Sequence, residues 1–140
     1  MSAENNKQIV HQFNAAFNRG DLDACEKLLS PNLLAYQPGV PQALNLEAFR
    51  QVGQMFLDAF SVVAHDYQEQ VGEGEYVVTR AIWSAVHNRG SFNGIPASGK
   101  PVSIDEVVFD RIVDGKIVEH WGEIDQFGLL QQIGAIPSMS

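Results

Sequence analysis

Ile9, Val10, Phe13, Ala16 and Phe17 recur at helical spacing, which gives a helix over about Asn5–Asn18 one apolar face. Gly20 reads as its stop, and Asp21 as the N-cap of a short second helix with Leu22, Cys25, Leu28 and Leu29 inward. Ser30-Pro31 ends that helix. Leu33 to Tyr36 is a brief apolar run, after which Pro38, Gly39 and Pro41 force irregular backbone. Asn45 caps a third predicted helix, Leu46 to about Phe60, whose inner face carries Phe49, Val52, Met55, Phe56 and Phe60. The pattern then changes to strands: Val62–Val71, and Tyr76–His87, rich in Val, Ile, Thr and Trp. Asn88–Gly99 is turn-rich. Val102–Ile112 and Lys116–Ile124 are strands meeting at Asp114-Gly115, a strong hairpin signal. Phe127–Ile133 predicts a last helical turn before Gly134. Helices followed by antiparallel strands predict an α+β domain, its N-terminal helices packed over a curved, mostly antiparallel sheet around a pocket.

Composition narrows the partners. The 140 residues make one domain, with about 1–4 and 138–140 expected as flexible ends. Nine Lys+Arg against 17 Asp+Glu leave a net charge of −8. That argues against nucleic acid and against an anionic membrane surface, both of which recruit clustered cations. No apolar run approaches the ~18 residues of a membrane span. The polar stretch Met1–Gln8 lacks a signal-peptide core, so a cytoplasmic location is expected. A lone Cys25 forms no internal disulfide and reads as a core residue. His11, His65, His87 and His120 show no metal-site spacing, so no metal is expected. Gly94–Lys100 matches the start of a phosphate-binding loop, but Pro101 stands where Ser or Thr must hold magnesium, and strand residues follow instead of a helix.

The terminal hairpin supports a face argument. A two-residue loop at Asp114-Gly115 sets Val113 opposite Lys116, Val108 opposite Trp121, Glu106 opposite Glu123 and Ile104 opposite Asp125. Trp121, Glu123 and Asp125 then share a face with Ile104, Glu106 and Val108, and His120 lies on the other face, an interface or half-buried histidine. Asp125 sits at a strand end among apolar neighbours, where desolvation raises a carboxyl pKa toward general acid/base range; its alternative role is to cap the turn into Phe127–Leu130. Glu106 and Glu123 are a second candidate pair, since opposed like charges push one pKa up, unless one or both point to solvent. His65 and His87 lie near strand ends within reach of a pocket.

Several segments together resemble the SnoaL-like polyketide cyclase family of the nuclear transport factor 2-like superfamily. They are Gly74–Arg80, Phe92–Lys100, Asp114–Trp121 with Asp125, and Gly128–Gly134; Phe17–Asp23 and Leu28–Pro31 also fit the superfamily opening. The resemblance covers nearly the whole chain. It implies a conical α+β barrel, and a homodimer or homotetramer built through the outer face of the sheet. It implies a cofactor-independent enzyme acting on a small or medium hydrophobic carbonyl compound by aldol ring closure, with no metal or organic cofactor. Asp125, in a Trp-x-x-x-Asp motif with Trp121, is the implied general acid/base. Tyr36, Phe56, His65, His87, Asn88, Glu106, Trp121 and Glu123 are the expected pocket residues. The chain departs from the family at Tyr36 and Asn88, where many relatives carry histidine, and at Ser61-Val62, where they carry Pro-Asp. Those departures keep a non-catalytic binding or interaction module, or an isomerase or hydrolase of the superfamily, as alternatives.

Overall fold

The computed structural model describes residues 2–137; the expected flexible ends at 1 and 138–140 lie outside that range. Four helices and five strands run in the order α1 (Ala3–Asn18), α2 (Leu22–Lys27), β1 (Leu29–Tyr36), α3 (Leu46–Ala59), β2 (Ser61–Glu73), β3 (Tyr76–Val86), β4 (Pro101–Val113), β5 (Lys116–Ile124) and α4 (Gln126–Gln132). The predicted N-caps hold: the Asp21 and Asn45 side chains accept from the backbone N–H groups of Ala24 and Ala48. Ser2 caps α1, which therefore begins two residues before Asn5 and takes in Ala3 and Glu4 from the expected loose end.

Two local readings are corrected. The second helix stops at Lys27, and Leu29 opens a strand that runs through Ser30-Pro31. Proline is tolerated there because β1 is an edge strand whose pairing with β5 is interrupted between Leu29 and Leu34. Met55, predicted inward on α3, is 40% exposed, whereas Phe60 is fully buried.

The strands form one open sheet in the order β1-β5-β4-β3-β2, antiparallel except for the β1–β5 pair. This is the α+β architecture expected, a curved sheet covered by helices rather than a closed barrel. Its inner face builds one apolar cluster from Phe60, Trp83, Phe92, Ile104, Leu129 and Ile133, and a second around Val10, Leu33, Val77, Ile112 and Ile117. Among the described residues no helix is long and apolar enough to cross a membrane.

The β4–β5 hairpin fixes the site. Asp114 and Gly115 both take left-handed φ, 51° and 76°, so the loop has the predicted two residues and Val113 pairs with Lys116. The register nevertheless shifts. Ile112 pairs with Ile117 while Arg111 pairs with Glu119, which leaves Val118 as an extra residue in β5. Beyond that bulge Val108 lies opposite Gly122, Val107 opposite Glu123 and Glu106 opposite Ile124. A one-residue slip exchanges the two faces of a strand. His120, Gly122 and Ile124 therefore face inward, and Trp121 and Glu123, expected inside, face outward and are exposed.

At the end of β5 the Asp125 carboxylate accepts from the Gly128 N–H at 2.9 Å and caps α4. It folds over Gly128 so closely that a Cβ there would collide with it. Replacing Asp125 with alanine removes the cap and lowers unfolding free energy by about 1 kcal/mol, whereas asparagine keeps most of it; thermal melts of the two variants check this.

Candidate active site

The inner face of the sheet and the helices α1, α2 and α3 enclose a cavity of about 120 Å³. Its lining is mainly apolar, with Phe13 and Phe17 from α1, Phe49 and Phe56 from α3, and Trp83 and Ile104 from the sheet. Phe49 and Phe56 belong to the predicted inner stripe of α3. Into this setting β4 and β5 bring Glu106 and His120, β2 brings His65, and the end of β1 brings Gln37. Glu26 and Arg50, partly exposed and 2.5 Å apart, also border the cavity.

Alternation along β4 turns Ile104, Glu106, Val108, Asp110 and Ile112 inward. Two acids therefore stand on an otherwise aliphatic row, in different circumstances. Asp110 is 2% exposed and accepts from His120 Nδ1 at 2.7 Å. That bond fixes the proton on Nδ1 and leaves Nε2 as the free ring nitrogen. Burial alone would depress the His120 pKa; the charge and hydrogen bond of Asp110, with the charge of Glu106, overcome it, and the net shift is upward. The Phe49 ring lies against the imidazole at 4.9 Å.

Glu106 lacks such a partner. His65 Nε2 lies 3.4 Å from its Oε1. His65 shares its Nδ1 with Asn18 Oδ1 at 2.6 Å, and burial lowers its pKa to about 4, so it is neutral at ordinary pH. With Nδ1–H directed at Asn18, a neutral His65 offers Glu106 only a lone pair, which does not favour the carboxylate. Burial is the main cause that pushes the Glu106 carboxyl up to about 7; His120 pulls it back, and Asp110 adds to the rise. Cys25 also lines the cavity, with its thiol pushed up to about 11, chiefly by burial, which leaves it a poor nucleophile.

Of the residues singled out from sequence, Glu106, His65 and Phe56 meet in this cavity. The others lie elsewhere. Trp121 stacks on Tyr36 on the outer face, 3.6 Å between ring centroids. Glu123 is exposed and lies opposite Val107, not Glu106. His87 is fully buried, with Nδ1 against Ser98, where it ties down the turn-rich segment after β3. Asn88 is exposed and accepts from the Ser61 hydroxyl at 2.7 Å. Asp125 is exposed and occupied in capping α4. Sequence reasoning missed His120, Asp110 and Gln37. Glu106 and Asp110, four residues apart on β4, share a face by strand alternation, but the inward turn of His120 follows from the bulge, which no turn signal announces. Among the described residues no cluster of three His, Cys, Asp or Glu side chains is placed to hold a metal ion.

The family model for SnoaL-like polyketide cyclases matches residues 7–133. The chain belongs to that family. SnoaL-like relatives include two aklanonic acid methyl ester cyclases, each 30% identical: DauD from Streptomyces sp. (strain C5), over 90% of this chain and 80% of that protein, and DnrD from Streptomyces peucetius, over 90% and 88%. Among solved SnoaL-like structures, AclR from Streptomyces galilaeus, described as a candidate hydroxylase, superposes with a TM-score of 0.90 at 29% identity, covering 99% of this chain and 87% of that one. The polyketide cyclase likeness and the cone-type fold thus match the resemblance read from sequence.

The raised Glu106 pKa has a stability consequence. Between the ordinary value of 4.5 and about 7 the folded state holds a proton that the unfolded chain has lost. Its contribution is therefore fully present below about pH 4.5 and is lost as pH rises through 7. Glu106→Gln, which cannot ionise, gains on wild type as pH rises, by on the order of 3 kcal/mol at pH 8 and by nothing from this source at pH 4. Urea unfolding of both proteins at the two pH values measures the difference.

Proposed function

We propose that this protein is a cofactor-independent enzyme that closes a ring by aldol chemistry on a small or medium hydrophobic carbonyl compound, with Glu106 as the general acid/base. The observation that carries this reading is the Glu106 carboxyl on the wall of an apolar cavity, beside a neutral His65 and pushed up to about 7 by burial. A carboxyl that titrates there exists in both forms near neutral pH, so it can take a proton from a carbon beside one carbonyl and later return one. The aromatic walls exclude water, which protects the enolate from premature protonation. The two cyclase relatives, named for a polyketide methyl ester, support the substrate class.

This reading moves the role from Asp125, the sequence candidate, to Glu106, because the Asp125 carboxylate is exposed and held by the Gly128 N–H. Incubation with aklanonic acid methyl ester in heavy water, followed by chromatography and NMR of the carbon-bound positions, separates the two. Glu106→Gln is expected to lower kcat/KM about 100-fold or more, with Asp125→Asn within a few-fold of wild type. The wild-type rate should rise through about pH 7 as Glu106 ionises. The opposite pattern returns the role to Asp125. Neither ring closure nor deuterium uptake by the wild type favours the non-catalytic module.

We also propose a homodimer or homotetramer through the outer face of the sheet, where Tyr76, Val107, Phe109 and Trp121 are each more than 40% exposed. Paired Phe109→Glu and Trp121→Glu substitutions should reduce the mass measured by light scattering to that of one chain, without loss of secondary structure. A wild type that runs as a monomer rejects the assembly.

A further inference from the structure

We propose that Gly122, His120 and Gln37 form an oxygen-binding nook in the cavity wall, which takes a ketone oxygen of the substrate and protonates it from His120 Nε2. The inference rests on the aldol reading for its chemical use, but its geometry stands apart from Glu106.

Gly122 is an inward position of β5, where the rows on either side carry His120 and Ile124. A Cβ built on it would lie 3.2 Å from His120 Nε2, 3.6 Å from Gln37 Nε2 and 3.7 Å from Gln37 Oε1. The missing side chain therefore leaves a space about the size of one heavy atom, and polar groups from β5 and from the loop after β1 converge on it. All three residues line the cavity. His120 is 8% exposed, its Nδ1 is taken up by Asp110, and its Nε2 has no hydrogen-bond partner among the described residues. Nε2 is therefore open to the cavity, where a ligand oxygen can hydrogen-bond to it. An oxygen placed slightly off the Cβ position meets both His120 Nε2 and the Gln37 amide at hydrogen-bond distance, an arrangement suited to a carbonyl that becomes an alkoxide. The Asp110 contact keeps the imidazole oriented and favours the imidazolium that makes Nε2 a donor.

The proton balance closes. The Glu106 carboxylate takes a proton from the carbon beside the first carbonyl, and that C–H pair forms the new bond to the carbon of the second carbonyl. The π pair of the second carbonyl moves to its oxygen in the nook, and that oxygen takes the Nε2 proton. Protonated Glu106 and neutral imidazole remain; transfer of the Glu106 proton to His120 through water on product release restores both groups.

The test is a binding measurement. 4-Fluoroacetophenone and 1-ethyl-4-fluorobenzene differ in the carbonyl oxygen, and both are followed by fluorine NMR titration. Wild type is expected to bind the ketone about tenfold more tightly than the hydrocarbon. Gly122 does not take a left-handed φ, so the strand backbone accepts alanine, whose Cβ fills the nook and, 3.2 Å from His120 Nε2, presses the imidazole back by a few tenths of an ångström. Gly122→Ala and Gln37→Leu should each erase most of the preference while hydrocarbon affinity and the nitrogen NMR signal of His120 Nδ1–H remain. Glu106→Gln should keep the preference, so loss of turnover by that variant with the preference intact bears on the base and leaves the nook standing. Equal binding of the two probes by wild type, or an unchanged preference in Gly122→Ala, overturns the proposal.

Discussion

One extra residue in β5 determines what the cavity contains. With Val118 unpaired against β4, every later side chain of the strand changes face, so the imidazole of His120 enters the core and the indole of Trp121 leaves it. Without the bulge the inner row would carry Glu119, Trp121 and Glu123 beside Glu106, a set of buried like charges. The bulge exchanges them for a histidine that pairs with Asp110, a glycine that leaves room, and Ile124.

The two inward acids of β4 then diverge in chemistry although they are four residues apart on one row. Asp110 accepts a hydrogen bond from the His120 imidazole, holds it in place and raises its pKa. Glu106 faces a neutral histidine and hydrocarbon, so its proton is retained to higher pH. The net charge of −8 says nothing of this, since most of the acids are solvated; what matters is that one of them is not.

Most of the fold was legible in the sequence. Helical spacing placed α1 and α3, the β-rich runs placed β2 to β5 with β5 to the residue, and Asp114-Gly115 placed the hairpin loop. Those signals are local, and local chemistry produces them. The misses were of a different kind. β1 passes through Ser30-Pro31 because an edge strand needs fewer backbone donors, a fact about its neighbours rather than its own residues. The candidate site was half legible: Glu106 followed from strand face, His65 from its place near a strand end and Phe56 from helical spacing, whereas His120 and Gln37 depend on a pairing irregularity and on where an irregular loop begins. Asp125 was read with two roles open, and capping is the one its contacts fill.

The joint between β5 and α4 carries a further constraint. A single residue, Asp125, separates Ile124 from Gln126, and its carboxylate is folded onto the Gly128 N–H. So short a joint has no slack to absorb rotation. α4 sends Leu129 and Ile133 into the main core, so its azimuth is geared to the phase of the strand that precedes it. An insertion or deletion between the bulge and Asp125 would therefore swing α4 out of its seat as well as reverse the strand. Length variation in this region should be confined to the far side of the bulge, toward the hairpin tip, where a changed loop alters neither the cavity nor the last helix.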